Sequence, residues 1–168
     1  MTKTMDWLQA KAPEFNRLTQ EERDEIADFS LLWSMFEGLL LNSHGNAANI
    51  SKLVQAWHEA GTLQADLFNS ELTYFRGRYY DGDFTDHFYN LHLRRGDQPE
   101  LVREVIARTD NDPCNRMIAI LIIVYRFRNN LFHGIKWQYN IRGQLGNFTA
   151  ANAILMTVLE QHGGFSGV

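Results

Sequence analysis

Six polar or cap-forming residues crowd the stretch "RFRNNLFHG", Arg126 to Gly134, directly after the apolar run "MIAILIIVY". Two arginines, two asparagines and a histidine make a set suited to phosphate. A guanidinium grips two phosphate oxygens at once, and an amide donates a further hydrogen bond. An imidazole with an ordinary pKa near 6.5 moves a proton close to neutral pH. Such a set can cleave RNA without a metal. From Pro113 to Leu159 the chain carries Arg116, Arg126, Arg128, Lys136 and Arg142 and no carboxylate, so this segment supplies no oxygen cage for Mg²⁺. A purely architectural reading also exists: arginines complement a helix C-terminus, asparagines suit the turn, and Gly134 ends it. That reading explains the letters but not the cost, because polar groups at the end of a buried helix must each find a partner.

Within this stretch "RNNLFH" resembles the Arg-x4-6-His signature of the HEPN superfamily, often seen as Arg-Asn-x-x-x-His. Arg128, Asn129 and His133 match it residue by residue. Arg126 also fits, at the longer spacing, although the Arg-Asn pair favours Arg128. The earlier "FSLLWSMFEGLL" resembles the first core helix of some HEPN branches. The resemblance implies a small all-α helical bundle that forms a homodimer with the motif at its interface. It also implies a metal-independent endoribonuclease of toxin-antitoxin, abortive-infection or related defence systems, with RNA and an antitoxin or defence protein as partners. His133 is then the general acid or base on the ribose 2'-hydroxyl and 5'-oxygen, Arg128 stabilises the pentacoordinate phosphate, and Asn129 positions phosphate or histidine. Arg126, Asn130 and Glu37 are supporting residues. A non-catalytic module keeping the same fold for dimerisation or nucleotide and RNA binding is the alternative. The histidine is followed by Gly-Ile, not by x-Tyr, so regulation through a motif tyrosine is not implied.

The elements that must hold these residues read almost entirely as helix. "TQEERDEIADFSLLWSMFEGLLLN" starts with the capping-box spacing of Thr19 and Glu22. From Phe29 onward apolar residues fill most of its circumference, with Ser30, Ser34 and Glu37 on one polar stripe, so its second half is expected to be buried. Glu37, the only charge there, either takes Arg126 or Arg128 as a partner, as a buried carboxylate requires, or reaches solvent through the Ser30 and Ser34 stripe. "NAANISKLVQAWHEAG" and "TLQADLFNSELTYFRGRYY" read as the next helices, followed by "DFTDHFYNLHL" and by "GDQPELVREVIART" capped by Asp97. "DPCNRMIAILIIVYRFRNNLF" repeats the cap-and-proline start with Asp112 and Pro113, and "FTAANAILMTVLEQH" closes the series. The β-branched "IAILIIV" is compatible with a buried strand, but the capped start and the length favour a core helix. The expectation is a single all-α domain over residues 1–168 with six or seven helices.

Composition sets the remaining bounds. Residues 1–75 hold five Lys/Arg against eleven Asp/Glu, and residues 76–142 hold eleven against eight. Lys136, Arg142 and Arg116 are the weaker candidates for an RNA-binding face, with Arg76, Arg78, Arg94 and Arg95 as possible extensions. Cys114 is the lone cysteine, which removes an intramolecular disulfide and a Cys-based zinc site. With no apolar leader or span in the sequence, the reading is a cytoplasmic protein. His87 and His92, near Asp83 and Asp86, are five residues apart and fall on different helical faces. No metal and no cofactor are assigned.

Overall fold

An apolar run with no polar face must be surrounded, and the fold is arranged to do this. In the computed structural model, which describes residues 2–134 and 141–165, every residue from Met117 to Val124 is buried. They lie on a 20-residue helix capped by Asp112, whose side chain accepts from the Asn115 backbone N–H at 3.0 Å. Each of these side chains other than Ala119 contributes about 1.5–3 kcal/mol on burial. The strand alternative for "IAILIIV" is therefore set aside, and no named strand occurs among the described residues.

Nine α-helices are described. In chain order they are α1 (Lys3–Lys11), α2 (Pro13–Asn16), α3 (Gln20–Leu40), α4 (Ala47–Glu59), α5 (Asn69–Tyr79), α6 (Asp86–Tyr89), α7 (Pro99–Ile106), α8 (Pro113–Phe132) and α9 (Leu145–His162). The central α8 packs against α4, α7 and α9, and α3 runs along α9. Phe29 on α3 meets Phe148 on α9 with ring centroids 5.1 Å apart, and Asn152 Nδ2 donates to the Glu25 carbonyl at 3.0 Å. Thr19 and Glu22 form the expected capping box at the start of α3. No described helix is long and apolar enough to cross a membrane.

The departures from expectation have local causes. The count exceeds six or seven because α1 and α2 precede the first expected helix. "TLQADLFNSELTYFRGRYY" divides into a 3-10 turn (Ala65–Phe68) and α5. "DFTDHFYNLHL" stays helical for only four residues, since Phe88, Leu91 and Val105 are drawn into one core whose shape a straight helix would not follow. Asp97 does not cap α7: Gln98, in the left-handed region at φ 51°, stands there, and Asp97 turns inward instead. The second half of α3 is only half buried. Phe29, Trp33 and Phe36 face the core, while Leu31, Met35 and Leu39 are 68%, 41% and 51% exposed. A helix packed on one side buries one stripe, and nothing in the described protomer covers the other.

His162, at the end of α9, stacks on Trp57 with centroids 3.9 Å apart and planes 7° from parallel. Burial there lowers its pKa below the ordinary value of about 6.5. The unfolded chain then takes up a proton more readily than the folded one, so this contribution is complete above pH 6.5 and is lost as the pH falls toward the lower native value. Urea unfolding should show the wild-type midpoint falling between pH 7.5 and 5.5 by more than that of His162→Phe. Parallel midpoints would remove the effect.

Candidate functional site

The polar end of α8 divides by helical face. Residues 126 and 130, four apart, share the inward face. Arg126 is the largest fully buried side chain, 1% exposed. Its Nε donates to the Leu91 carbonyl at 3.0 Å, Nη2 to Asn130 Oδ1 at 3.3 Å, and Nη1 lies 3.3 Å from Asp97 Oδ2. Burial pulls the Arg126 pKa down and Asp97 pushes it back up. Asp97 Oδ2 also accepts from the Arg94 backbone N–H at 2.8 Å, and Asn130 Nδ2 donates to the carbonyls of Asn90 and Leu91 at 3.3 and 3.2 Å. These two motif residues are spent on holding the fold.

Arg128, Asn129 and His133 take the other directions. Arg128 is half-buried; its Nη1 donates to Asn129 Oδ1 at 3.0 Å, and its guanidinium carbon sits 5.5 Å from the Phe132 ring centroid. Asn129 is buried, and its Oδ1 holds Arg128. His133 is exposed and occupies the C-cap of α8, with its N–H bonded to the Asn129 carbonyl at 2.9 Å. Gly134 follows at φ +75°, the left-handed geometry that ends a helix at low cost for glycine. No side-chain hydrogen bond engages His133 among the described residues.

Arg128 and Phe132 form one wall of an open cleft of about 380 Å³. Ser30, Trp33, Ser34, Glu37 and Gly38 of α3 form the other, with Ser43 of the following turn. Of the two readings for Glu37, pairing with Arg126 or Arg128 does not occur among the described residues; Glu37 lines the open cleft beside Ser30 and Ser34, and its Oε2 accepts from the Trp33 indole N–H. Arg126 is shut inside with Asp97, and no ion pair of Glu37 with Arg128 forms among the described residues. His133 does not line this cleft.

Arg116 and Arg76 are engaged away from the site. Arg116 lies 12 residues before Arg128 on the same helix, about 18 Å along its axis at 1.5 Å per residue. It pairs with Asp66 at 2.9 Å and Asn69 at 3.1 Å. Arg76 is committed to the Val105 carbonyl and Asn111. Arg142 is exposed near the start of α9, and Lys136 lies outside the described residues. Among the described residues no group of three or more His, Cys, Asp or Glu is placed to hold a metal ion.

Sequence reasoning missed Trp33, Phe132 and Asp97. Trp33 stands four residues before Glu37, a spacing that signals a same-face contact. Asp97 stands 29 positions before Arg126, and nothing local announces their pairing. No protein-family model, curated protein or solved structure matches the chain.

A buried charge stripped of its partner is costly, by about 3–5 kcal/mol, whereas removing both charges costs less. Asp97→Ala should therefore destabilise the protein by that amount in denaturant titration, and Arg126→Met with Asp97→Leu should recover part of it. A single-mutant loss below about 1 kcal/mol would contradict the role given to the pair.

Proposed function

We propose that this chain is a metal-independent endoribonuclease of HEPN type acting as a homodimer, in a toxin, abortive-infection or related defence role. The observation carrying the reading is that the fold consumes Arg126 and Asn130, whereas among the described residues Arg128 forms no ion pair and hydrogen-bonds only Asn129, and His133 forms no side-chain hydrogen bond at the same helix end. Beside them runs an uncovered apolar ridge. His133 takes the proton from a ribose 2'-hydroxyl, whose oxygen attacks the adjacent phosphorus as the bond to the 5'-oxygen breaks. The leaving oxygen takes a proton from the second histidine of the dimer. Arg128 neutralises the charge that develops on the phosphate oxygens.

The ridge of Leu31, Met35 and Leu39, at successive four-residue steps, supports the dimer. The small residues Ser30, Ser34 and Gly38 run parallel to it along α3, which lets a second helix approach closely. Burying three such side chains supplies several kcal/mol of association. The protomer's own His133 does not line the Arg128 cleft, so the composite site of this reading draws on the partner's histidine.

His133→Ala and Arg128→Ala should each lower cleavage of RNA by about 10²–10⁴ with the helical circular dichroism spectrum unchanged. Wild-type rates in either folded variant would refute the assignment, and binding without turnover by the wild type would identify a binding module instead. Products should carry 2',3'-cyclic phosphate and 5'-hydroxyl ends, appear in excess EDTA, and vanish at a single 2'-deoxy position, because the 2'-hydroxyl is the nucleophile. Ends bearing 5'-phosphate would overturn the mechanism. Leu31→Glu with Leu39→Glu should sediment as a folded monomer with lost activity. A wild type that is monomeric at micromolar concentration would exclude the composite site.

A further inference from the structure

Phosphate chemistry uses Arg128 and His133 but gives no work to the carboxylate across the cleft. Glu37 is held firmly: the Trp33 indole N–H bonds its Oε2, and the chain turns back so that Gly45 lies against it. A Cβ on Gly45 would come within 2.9 Å of Oε2 and 3.1 Å of the Trp33 ring. Oε1 keeps no hydrogen-bond partner among the described residues and belongs to a side chain that lines the open cleft. A fixed acceptor facing open space is suited to an N–H donor on a ligand. Its negative charge disfavours phosphate nearby, so a nucleotide in this cleft lies with its phosphate toward Arg128 and its base toward Glu37. Phe132, 54% exposed and standing beside Arg128, offers a face on which a base stacks.

Resting on the ribonuclease reading, the geometry points to a base-recognition subsite at Glu37 and Phe132. It takes a nucleobase that carries an amino group on its Watson–Crick edge. Cytosine, adenine and guanine each present such a donor. Uracil presents its one N–H between two carbonyl oxygens, which a carboxylate repels. The cleft, at about 380 Å³, lies within the range of small-molecule sites of roughly 300–1,000 Å³. The preference is therefore for amino-bearing nucleotides next to the scissile phosphate, with uridine the poorest.

The test uses the full chain and uridine-tract RNAs carrying one central cytidine, adenosine or guanosine, with cut sites mapped by gel. Cleavage beside the amino-bearing nucleotide should run about tenfold faster than within the tract, the scale of one hydrogen bond to a charged acceptor. Glu37→Gln has the same shape; its oxygen keeps the Trp33 bond and its NH₂ enters the cleft, so the preference should shift toward uridine. Even cutting along all the RNAs, or an unchanged preference in folded Glu37→Gln, overturns the subsite while the ribonuclease reading stands. No cleavage of any RNA by the wild type overturns that reading and the subsite with it.

Discussion

The Arg126 guanidinium, enclosed in the core with Asp97 and the Leu91 carbonyl, is the constraint on which the placement of the other polar groups depends. A cation in an apolar interior needs a counter-charge and hydrogen bonds, because desolvation alone costs several kcal/mol. Asp97, the turn before α7 and the backbone at Asn90 and Leu91 are all drawn to it. The requirement is met from the segment between α5 and α7, which forms only the single turn α6 and a 3-10 turn (Arg95–Asp97). It also fixes the rotation of α8 about its own axis.

Once that rotation is fixed, the direction of every other residue at the end of α8 follows from the helical repeat. Residues 126 and 130 point inward, so 128 and 132 point outward into the cleft beside α3. Asn129 lies between the two sets and spends its side chain on Arg128. His133 reaches the surface because Gly134 ends the helix there. Because both arginines sit on one helix, burying Arg126 with Asp97 and turning Arg128 toward the cleft are a single choice of rotation, which couples the core pair to the site.

The long helix α3 has two tasks, and this explains its unusual composition. One stripe of Phe29, Trp33 and Phe36 packs into the core, and the opposite ridge of Leu31, Met35 and Leu39 stays bare. Between them Ser30, Ser34 and Glu37 border the cleft. An apolar circumference can mean burial within a chain or burial between chains. The bare ridge is the feature that supports the second meaning in the proposed dimer.

Helix identity was largely legible in the residues. The capping box at Thr19 and Glu22, the Asp112–Pro113 start of α8 and the glycine at 134 are local devices that act through neighbours three or four positions away. The phosphate-suited set at 126–133 was legible for the same reason. What local signals could not decide was which of two arginines two positions apart is buried. Both suit the end of a helix, and the choice depends on Asp97 and Leu91, 29 and 35 positions away in sequence. The exposure of the α3 ridge and the Trp33–Glu37–Gly45 contact likewise depend on how helices and turns meet. Periodicity determines that a helix has faces, but only the partners brought together by tertiary packing determine which face is inside.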